Sequence, residues 1–217
     1  MSRIAVIGGH GKVALHLERL LSERGHQVSA LIRNPTHRDD VEATGAEAVV
    51  ADVEALQVTE VADVLAGHDA VVWSAGAGGG DPARTYAVDR DAAIEAMAAA
   101  EQAGIQRFVM VSYFGAGPDH GVPEDEPFFA YAEAKAAADE HLRGTDLDWT
   151  VLGPSALTDD PATGRIETGV TTGKSQVSRE DVAAVVVATL EDPGTIRRTI
   201  EFNNGDTPIS EALAAGA

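Results

Sequence analysis

The chain has 217 residues, no cysteine, and a formal net charge of -19 from 16 Lys and Arg against 35 Asp and Glu. That length fits one domain burying about 70% of its unfolded surface, and the lack of cysteine excludes a disulfide framework, a thiolate nucleophile and a cysteine metal site. The acidity argues against nonspecific nucleic-acid binding, which needs a basic face, and disfavours docking on an anionic membrane. The seven histidines are scattered, with no HExxH-type spacing, so no metal is expected. No apolar run reaches membrane-spanning length, and Met1 leads almost directly into the first strand, leaving no room for a signal peptide. The expectation is a soluble cytoplasmic protein whose acidity keeps its surface solvated.

The first strand, Arg3 to Ile7, runs into Gly8-Gly9-His10-Gly11-Lys12-Val13-Ala14 and then a helix with Val13, Leu17, Leu20 and Leu21 on one face. Gly8 suits the tight turn off the strand. Gly11 allows backbone N–H groups close to a pyrophosphate, and Ala14 is the third small residue, where helix packs on strand. The phosphates would lie at the helix N-terminus, where free N–H groups and the macrodipole favour an anion. A second strand, Gln27 to Ile32, ends on Arg33. Asn34-Pro35 is a turn, followed by a short helix over 37–44, a strand over 46–51 and a helix over 54–66. A fourth strand, 69–74, enters the glycine-rich loop 75–80. An alanine-rich helix over 85–103 follows, then a strand over 106–112 and a loop over 113–127 rich in Gly, Pro and acid. Next come a helix over 128–142, a strand over 147–152 closed by Pro154, and a helix over 178–190 with a Ser178-x-x-Asp181 capping box. A last strand spans 199–202, and Thr207-Pro208 starts a terminal helix. Alternating strands and helices with short joints predict an α/β fold: one Rossmann-type domain with a doubly wound parallel sheet and helices on both faces. Loops 75–84, 113–127 and 153–177 would form most of a small substrate side.

Ligands of such sheets bind outside the carboxyl ends of the strands. That rim comprises Gly8 to Lys12, Arg33, Asp52, Ser74 to Gly76, Ser112 and Gly153-Pro154. Arg33 lies about where a dinucleotide site meets the adenine ribose. An acid there would select NAD, whereas arginine accommodates a 2′-phosphate; the alternative is an ordinary surface arginine. Asp52 either approaches the adenine amine or caps the helix after it.

Two helices carry ionisable groups on faces that should be apolar. Phe128, Tyr131, Lys135, Ala138 and Leu142 form one stripe, and Tyr86, Asp89, Ala93, Met97 and Ala100 another, so Lys135 and Asp89 should point inward. An inward charge needs a partner or a task. Tyr131 and Lys135 are one turn apart, as tyrosine-based proton transfer requires, since an ammonium lowers a phenol pKa toward working pH. Lys135 could also bond the nicotinamide ribose, and Ser112 could polarise a carbonyl.

With these residues in view, the chain resembles an atypical short-chain dehydrogenase/reductase of the single-domain NAD(P)-binding group that includes biliverdin reductase B-like and NmrA-like proteins. The resemblance is carried by Gly8-Gly9-His10-Gly11, Leu31-Ile32-Arg33-Asn34-Pro35, Ser74-Ala75-Gly76, Val88-Asp89-Arg90-Asp91 and Arg107-Phe108-Val109-Met110-Val111-Ser112. Tyr131-x-x-x-Lys135, Asp148-Trp149-Thr150-Val151-Leu152 and Ser178-Arg179-Glu180-Asp181-Val182-Ala183 complete it. It implies that Gly8, Gly9, His10, Gly11, Lys12 and Val13 hold the pyrophosphate, Arg33 the 2′-phosphate, Asp52 and Val53 adenine, Ala75 and Gly76 the dinucleotide, and Lys135 the nicotinamide ribose. Asp89 stands where relatives have a helix asparagine, and Gly153-Pro154-Ser155 where they often have Arg-Pro-Gly.

Three readings follow. The favoured one is an NADP(H)-dependent reductase of a small carbonyl, quinone or flavin, with NAD(H) as the lesser cofactor, in a monomer or homodimer. Ser112, Tyr131 and Lys135 are its candidate catalytic residues. The second is an NADP(H)-binding sensor without turnover. The third, a sugar-nucleotide epimerase, is disfavoured because most of the chain after Lys135 is needed to finish the sheet.

Overall fold

The computed structural model describes residues 1–169 and 173–215. Its first six strands are β1 (Arg3–Ile7), β2 (Gln27–Ile32), β3 (Glu47–Val50), β4 (Ala70–Trp73), β5 (Arg107–Val111) and β6 (Asp148–Pro154). Between them run helices α1 (Lys12–Glu23), α2 (Arg38–Glu42), α3 (Val58–Leu65), α4 (Pro82–Thr85), α5 (Ala93–Gln102) and α6 (Phe129–Arg143). The C-terminal part adds β7 (Ala156–Thr158), β8 (Arg165–Thr168), β9 (Gln176–Ser178), α7 (Arg179–Glu191), β10 (Arg198–Asn204), β11 (Thr207–Pro208) and α8 (Ile209–Ala215). One sheet runs in the order β11-β8-β10-β6-β5-β4-β1-β2-β3. From β10 to β3 all neighbours are parallel, and β8 and β11 close the far edge antiparallel. The fold is therefore the expected Rossmann-like α/β fold.

Alternation along each strand splits the core in two. Ile4 and Val6 of β1 face Leu17 and Leu21 of α1 and Val185 and Val186 of α7, while Ala5 and Ile7 face the α3, α5 and α6 side with Trp73, Met97 and Phe108. Strands covered on both faces read as near-continuous apolar runs, which is why AVVW and RFVMV gave clear strand signals.

Several boundaries differ from the sequence expectation. The helix expected over 54–66 begins only at Val58, because the Asp52 carboxylate and carbonyl hold a turn over 52–56 and Gln57 with Glu60 forms the capping box. The helix expected over 85–103 starts at Pro82 behind an Asp81 N-cap and carries a π-type stretch, Tyr86–Ala92, before α5. The region 153–177, expected as loop, contains β7, β8 and most of β9, and Thr207–Pro208 pairs as β11 rather than opening the last helix. These strands are two to four residues long, below the length at which alternation is readable. Part of the region, 170–172, lies outside the described residues. Ser178 caps α7 as expected, its Oγ accepting from the Asp181 N–H at 3.0 Å. The Asp181 carboxylate does not return to the Ser178 N–H but accepts from the Ser178 hydroxyl at 3.0 Å and from the Thr163 and Gly164 N–H groups. Among the described residues no helix is long and apolar enough to cross a membrane.

Glu18 on α1 is buried against the Thr44 hydroxyl at 3.3 Å, with its Oε1 unpartnered. Burial pushes its carboxyl up to about 8. The folded state thus binds a proton that the unfolded chain releases, and stability should fall as pH rises from about 4.5 to about 8. Glu18→Gln removes that titration, so thermal melts should show a higher Tm than wild type at pH 8 and a flatter slope between pH 5 and 8. An unchanged slope would mean Glu18 does not set it.

Candidate functional site

The turn between β1 and α1 is held by Gly8 and Gly9 N–H groups donating to the Leu31 carbonyl, and by the Gly11 N–H donating to Gly8 O. Gly8 has φ +90°, and a β-carbon there would lie 2.5 Å from the Ala75 Cα. The turn therefore lies flush against the chain leaving β4. Gly11 is the N-cap of α1 and provides no side-chain acceptor, so the N–H groups of the first turn keep their free direction. β1 sits between β2 and β4, the point where strand order reverses and a crevice opens.

Two clefts meet there. The smaller, about 390 Å³, is lined by Gly8 to Gly11, Arg33, Asn34, His37, Asp52 to Glu54 and Arg84. The larger, about 670 Å³, is lined by Lys12, Val13, Gly78 to Pro82, Ser112, Phe128, Tyr131, Leu157 and Arg179. Gly11, Ser74, Ala75 and Gly76 line both, so the two form one groove across the α1 N-terminus.

Most of the residues expected at the site lie on this groove. Arg33 does, with Nη1 2.8 Å from Glu54 Oε1, and the same oxygen accepts from Arg84 Nη2 at 3.3 Å. Asp52 lines the groove, but it does not cap the helix after it, which begins at Val58 behind Gln57; its Oδ1 accepts from the Glu54 N–H at 3.1 Å in the turn before that helix. His10 stacks on His37 with ring centroids 3.6 Å apart and contacts Asp40 at 2.8 Å. Lys12 and Arg179 both donate to Asp159, at 2.9 and 2.8 Å. Pro154 lines neither cleft; it is buried in β6, and its carbonyl accepts from the Phe114 N–H. The β6 end is occupied by the chain after β5, since a β-carbon on Gly153 would lie 3.1 Å from Tyr113 O.

The inward stripes are as expected at their ionisable members. Lys135 is wholly buried, its Nζ donating to Val111 O at 3.1 Å, beneath the groove rather than on its wall. Asp89 is 1% exposed, and its Oδ2 accepts from the Ala77 N–H of the glycine loop. Phe128, by contrast, precedes α6 and stays 41% exposed. Ser112 and Tyr131 share the larger cleft. The Ser112 hydroxyl donates to Asp139 Oδ2 at 2.5 Å, so its hydrogen is engaged. Burial first, then the Asp89 and Asp139 carboxylates, raise the Tyr131 pKa above the ordinary phenol value. That reverses the lowering expected from Lys135. Burial likewise raises the pKa values of Asp89 and Asp139 and lowers that of Lys135. Among the described residues no group of three or more His, Asp or Glu is arranged to hold a metal.

Sequence reading missed Asp139, although it continues the i, i+4 step from Tyr131 and Lys135. It also missed Arg84, Glu54 and Asp159, whose roles come from segments brought together only by the fold.

A family model described as NAD(P)H-binding matches residues 8–193. The uncharacterized sugar epimerase YhfK of Bacillus subtilis is 35% identical over 97% of this chain and 98% of its own length. A solved structure from Bacillus halodurans, named for NAD-dependent epimerases/dehydratases, superposes with a TM-score of 0.91 at 32% identity, covering 99% of this chain and 100% of that one. The oxidoreductase ylbE of Lactococcus lactis gives 0.87 at 30% identity, covering 98% and 95%.

The groove geometry separates two glycine substitutions. Gly11 has φ -66°, which any residue adopts, and a β-carbon there would lie 3.2 Å from Gly8 O, a contact relieved by a small shift, whereas one at Gly8 would lie 2.5 Å from the Ala75 Cα at φ +90°. Gly11→Val should keep the circular dichroism of the wild type and lose NAD(P)H binding by calorimetry, while Gly8→Val should lose both. Unchanged binding by Gly11→Val would make the turn purely structural.

Proposed function

The chain belongs to the NAD(P)H-binding family, and from that premise we propose that it is an NADPH-dependent reductase of a small carbonyl, quinone or flavin-type acceptor. The observation that carries this reading is the shared groove: the uncapped start of α1 and the Ser112–Tyr131 pair line the same cleft. A cofactor whose pyrophosphate rests on that helix end would extend one way to Arg33 and the other way to Tyr131.

On the adenosine side, Arg33 and Arg84 meet on one Glu54 oxygen, an arrangement in which a 2′-phosphate can replace the carboxylate between two guanidinium groups. A β-carbon on Gly76 would lie 3.1 Å from Asp89 Oδ1, so any side chain there would push on the carboxylate that holds the Ala77 N–H. On the other side, bound NADPH supplies a hydride, and the reduced acceptor takes up one proton. Tyr131, its pKa raised, stays protonated through neutral pH and is therefore a donor. Lys135 acts by position, its Nζ donating to Val111 O below the groove, where burial disfavours its charged form and the nearby Asp139 and Asp89 favour it. Ser112, with its hydrogen on Asp139, turns oxygen lone pairs toward the groove. A sensor without turnover would use the same groove. The epimerase name of the Bacillus subtilis relative gives the other reading, although β6, α7 and β10 return the chain after Lys135 to the sheet and core.

NADPH oxidation with menadione, a flavin and a panel of aldehydes tests the reading; no oxidation of any of them would favour the sensor. With a carbonyl acceptor, Tyr131→Phe should lower kcat by about 10²–10⁴ while NADPH still binds. With a quinone the variant should stay near wild type. Arg33→Ala should weaken NADPH binding by about ten- to a hundredfold and leave NADH binding nearly unchanged, whereas Glu54→Gln should strengthen NADPH binding. Equal NADPH and NADH affinities in the wild type would remove the Arg33–Arg84 pair from the account.

A further inference from the structure

We propose that the larger cleft takes an aromatic acceptor bearing an acidic group, its ring against Phe128 and Tyr131 and its anion met by Lys174. This names the substrate class of the reductase reading and rests on it.

The first observation is where the aromatic surface lies. Only 5% of the chain is aromatic, yet Tyr113, Phe128 and Tyr131 pack together with centroids 5.2–5.5 Å apart, and Phe128 and Tyr131 line this cleft. Phe128 is 41% exposed and Leu157 38%, and both line the cleft. Large apolar groups left open beside a mostly apolar cavity fit a ligand with a flat apolar body.

The second is charge. The chain has three lysines: Lys12 lines the cleft, Lys135 lies beneath it, and Lys174 stands beside Phe128, one of its wall residues. The Lys174 Nζ is 5.7 Å from the centroids of both Tyr113 and Phe128. Among the described residues it makes no ion pair, in a protein with 35 acids to 16 cations. Lys12 and Arg179 already share Asp159, so beside these rings Lys174 is the cation with no carboxylate partner among the described residues. The carboxylate lining the cleft, Asp81, is engaged at Oδ1 by the Ala83 N–H. The field of a strongly acidic protein repels an anion, so an acidic ligand needs a local cation. Lys174 provides one, with three N–H donors, next to the rings that would hold the ligand body.

The test is a calorimetric titration of the full chain in saturating NADP⁺ with 2-naphthoate and with its neutral counterpart 2-naphthamide. The acid should bind about fivefold tighter, the size of one partly exposed charge-assisted contact, and its advantage should shrink in 0.5 M salt. Lys174→Met should bring the two within about twofold, and Lys174→Arg should restore the preference. Phe128→Ala should weaken both ligands together. Equal binding of acid and amide by the wild type, an acid preference surviving in Lys174→Met, or no binding of either ligand overturns the proposal. Acid-selective binding without NADPH oxidation in any assay would support the cleft chemistry and overturn the reductase reading instead.

Discussion

A β-carbon on Gly8 would lie 2.5 Å from the Ala75 backbone, and one on Gly9 2.7 Å from the Ala30 side chain. The cofactor side of the molecule depends on this close approach of the first turn to β2 and β4. It sets the start of α1 at the reversal of strand order, where an uncapped helix end faces the groove instead of a neighbouring side chain. The surrounding residues answer to that placement. Arg33 leaves β2 on one side, Ser112 follows β5 on the other, and Ala75 and Gly76 form the floor shared by both halves.

Beneath that floor lies a second constraint, a buried lysine with two buried carboxylates near it. Isolated charges in such surroundings are costly, and one ammonium does not neutralise two carboxylates. The balance comes from hydrogen bonds. Asp89 accepts from the Ala77 N–H, Asp139 from Ser112, and Lys135 donates to Val111 O. Each of these bonds ends on a loop or strand end that forms the groove, so the buried charges hold the groove wall. Burial first, and then these carboxylates, raise the Tyr131 pKa and keep its proton in place.

Much of this was readable from sequence because its causes are local. The β1–turn–α1 unit shows an apolar run, glycines and a 3.6-residue period within thirty residues, and Ser178 announces its own cap. Lys135 and Asp89 showed inward because helical spacing alone decides which face a residue takes. What stayed hidden depends on distant partners. Glu54 gains meaning only when Arg33 and Arg84 arrive from two other segments, and Asp159 only when Lys12 and Arg179 do. Asp139 is the instructive case, since its i+4 step from Lys135 was visible. Its task became visible only once the fold set it 2.5 Å from the Ser112 hydroxyl. The tyrosine shift was misjudged for the same reason, because burial and two carboxylates outweigh one ammonium. The short strands β7, β8 and β11 were missed because two to four residues carry no period.

A crystal structure of the full chain with NADP⁺ tests most directly whether one dinucleotide lies along the whole groove, across the start of α1 with its nicotinamide toward Tyr131. The pyrophosphate should lie on the N–H groups of Lys12 and Val13, the 2′-phosphate between Arg33 and Arg84 with Glu54 displaced, and the nicotinamide against Ser112 and Tyr131. A nucleotide bound with its phosphates away from α1, or with the nicotinamide in the smaller cleft beside Asp52, would contradict it.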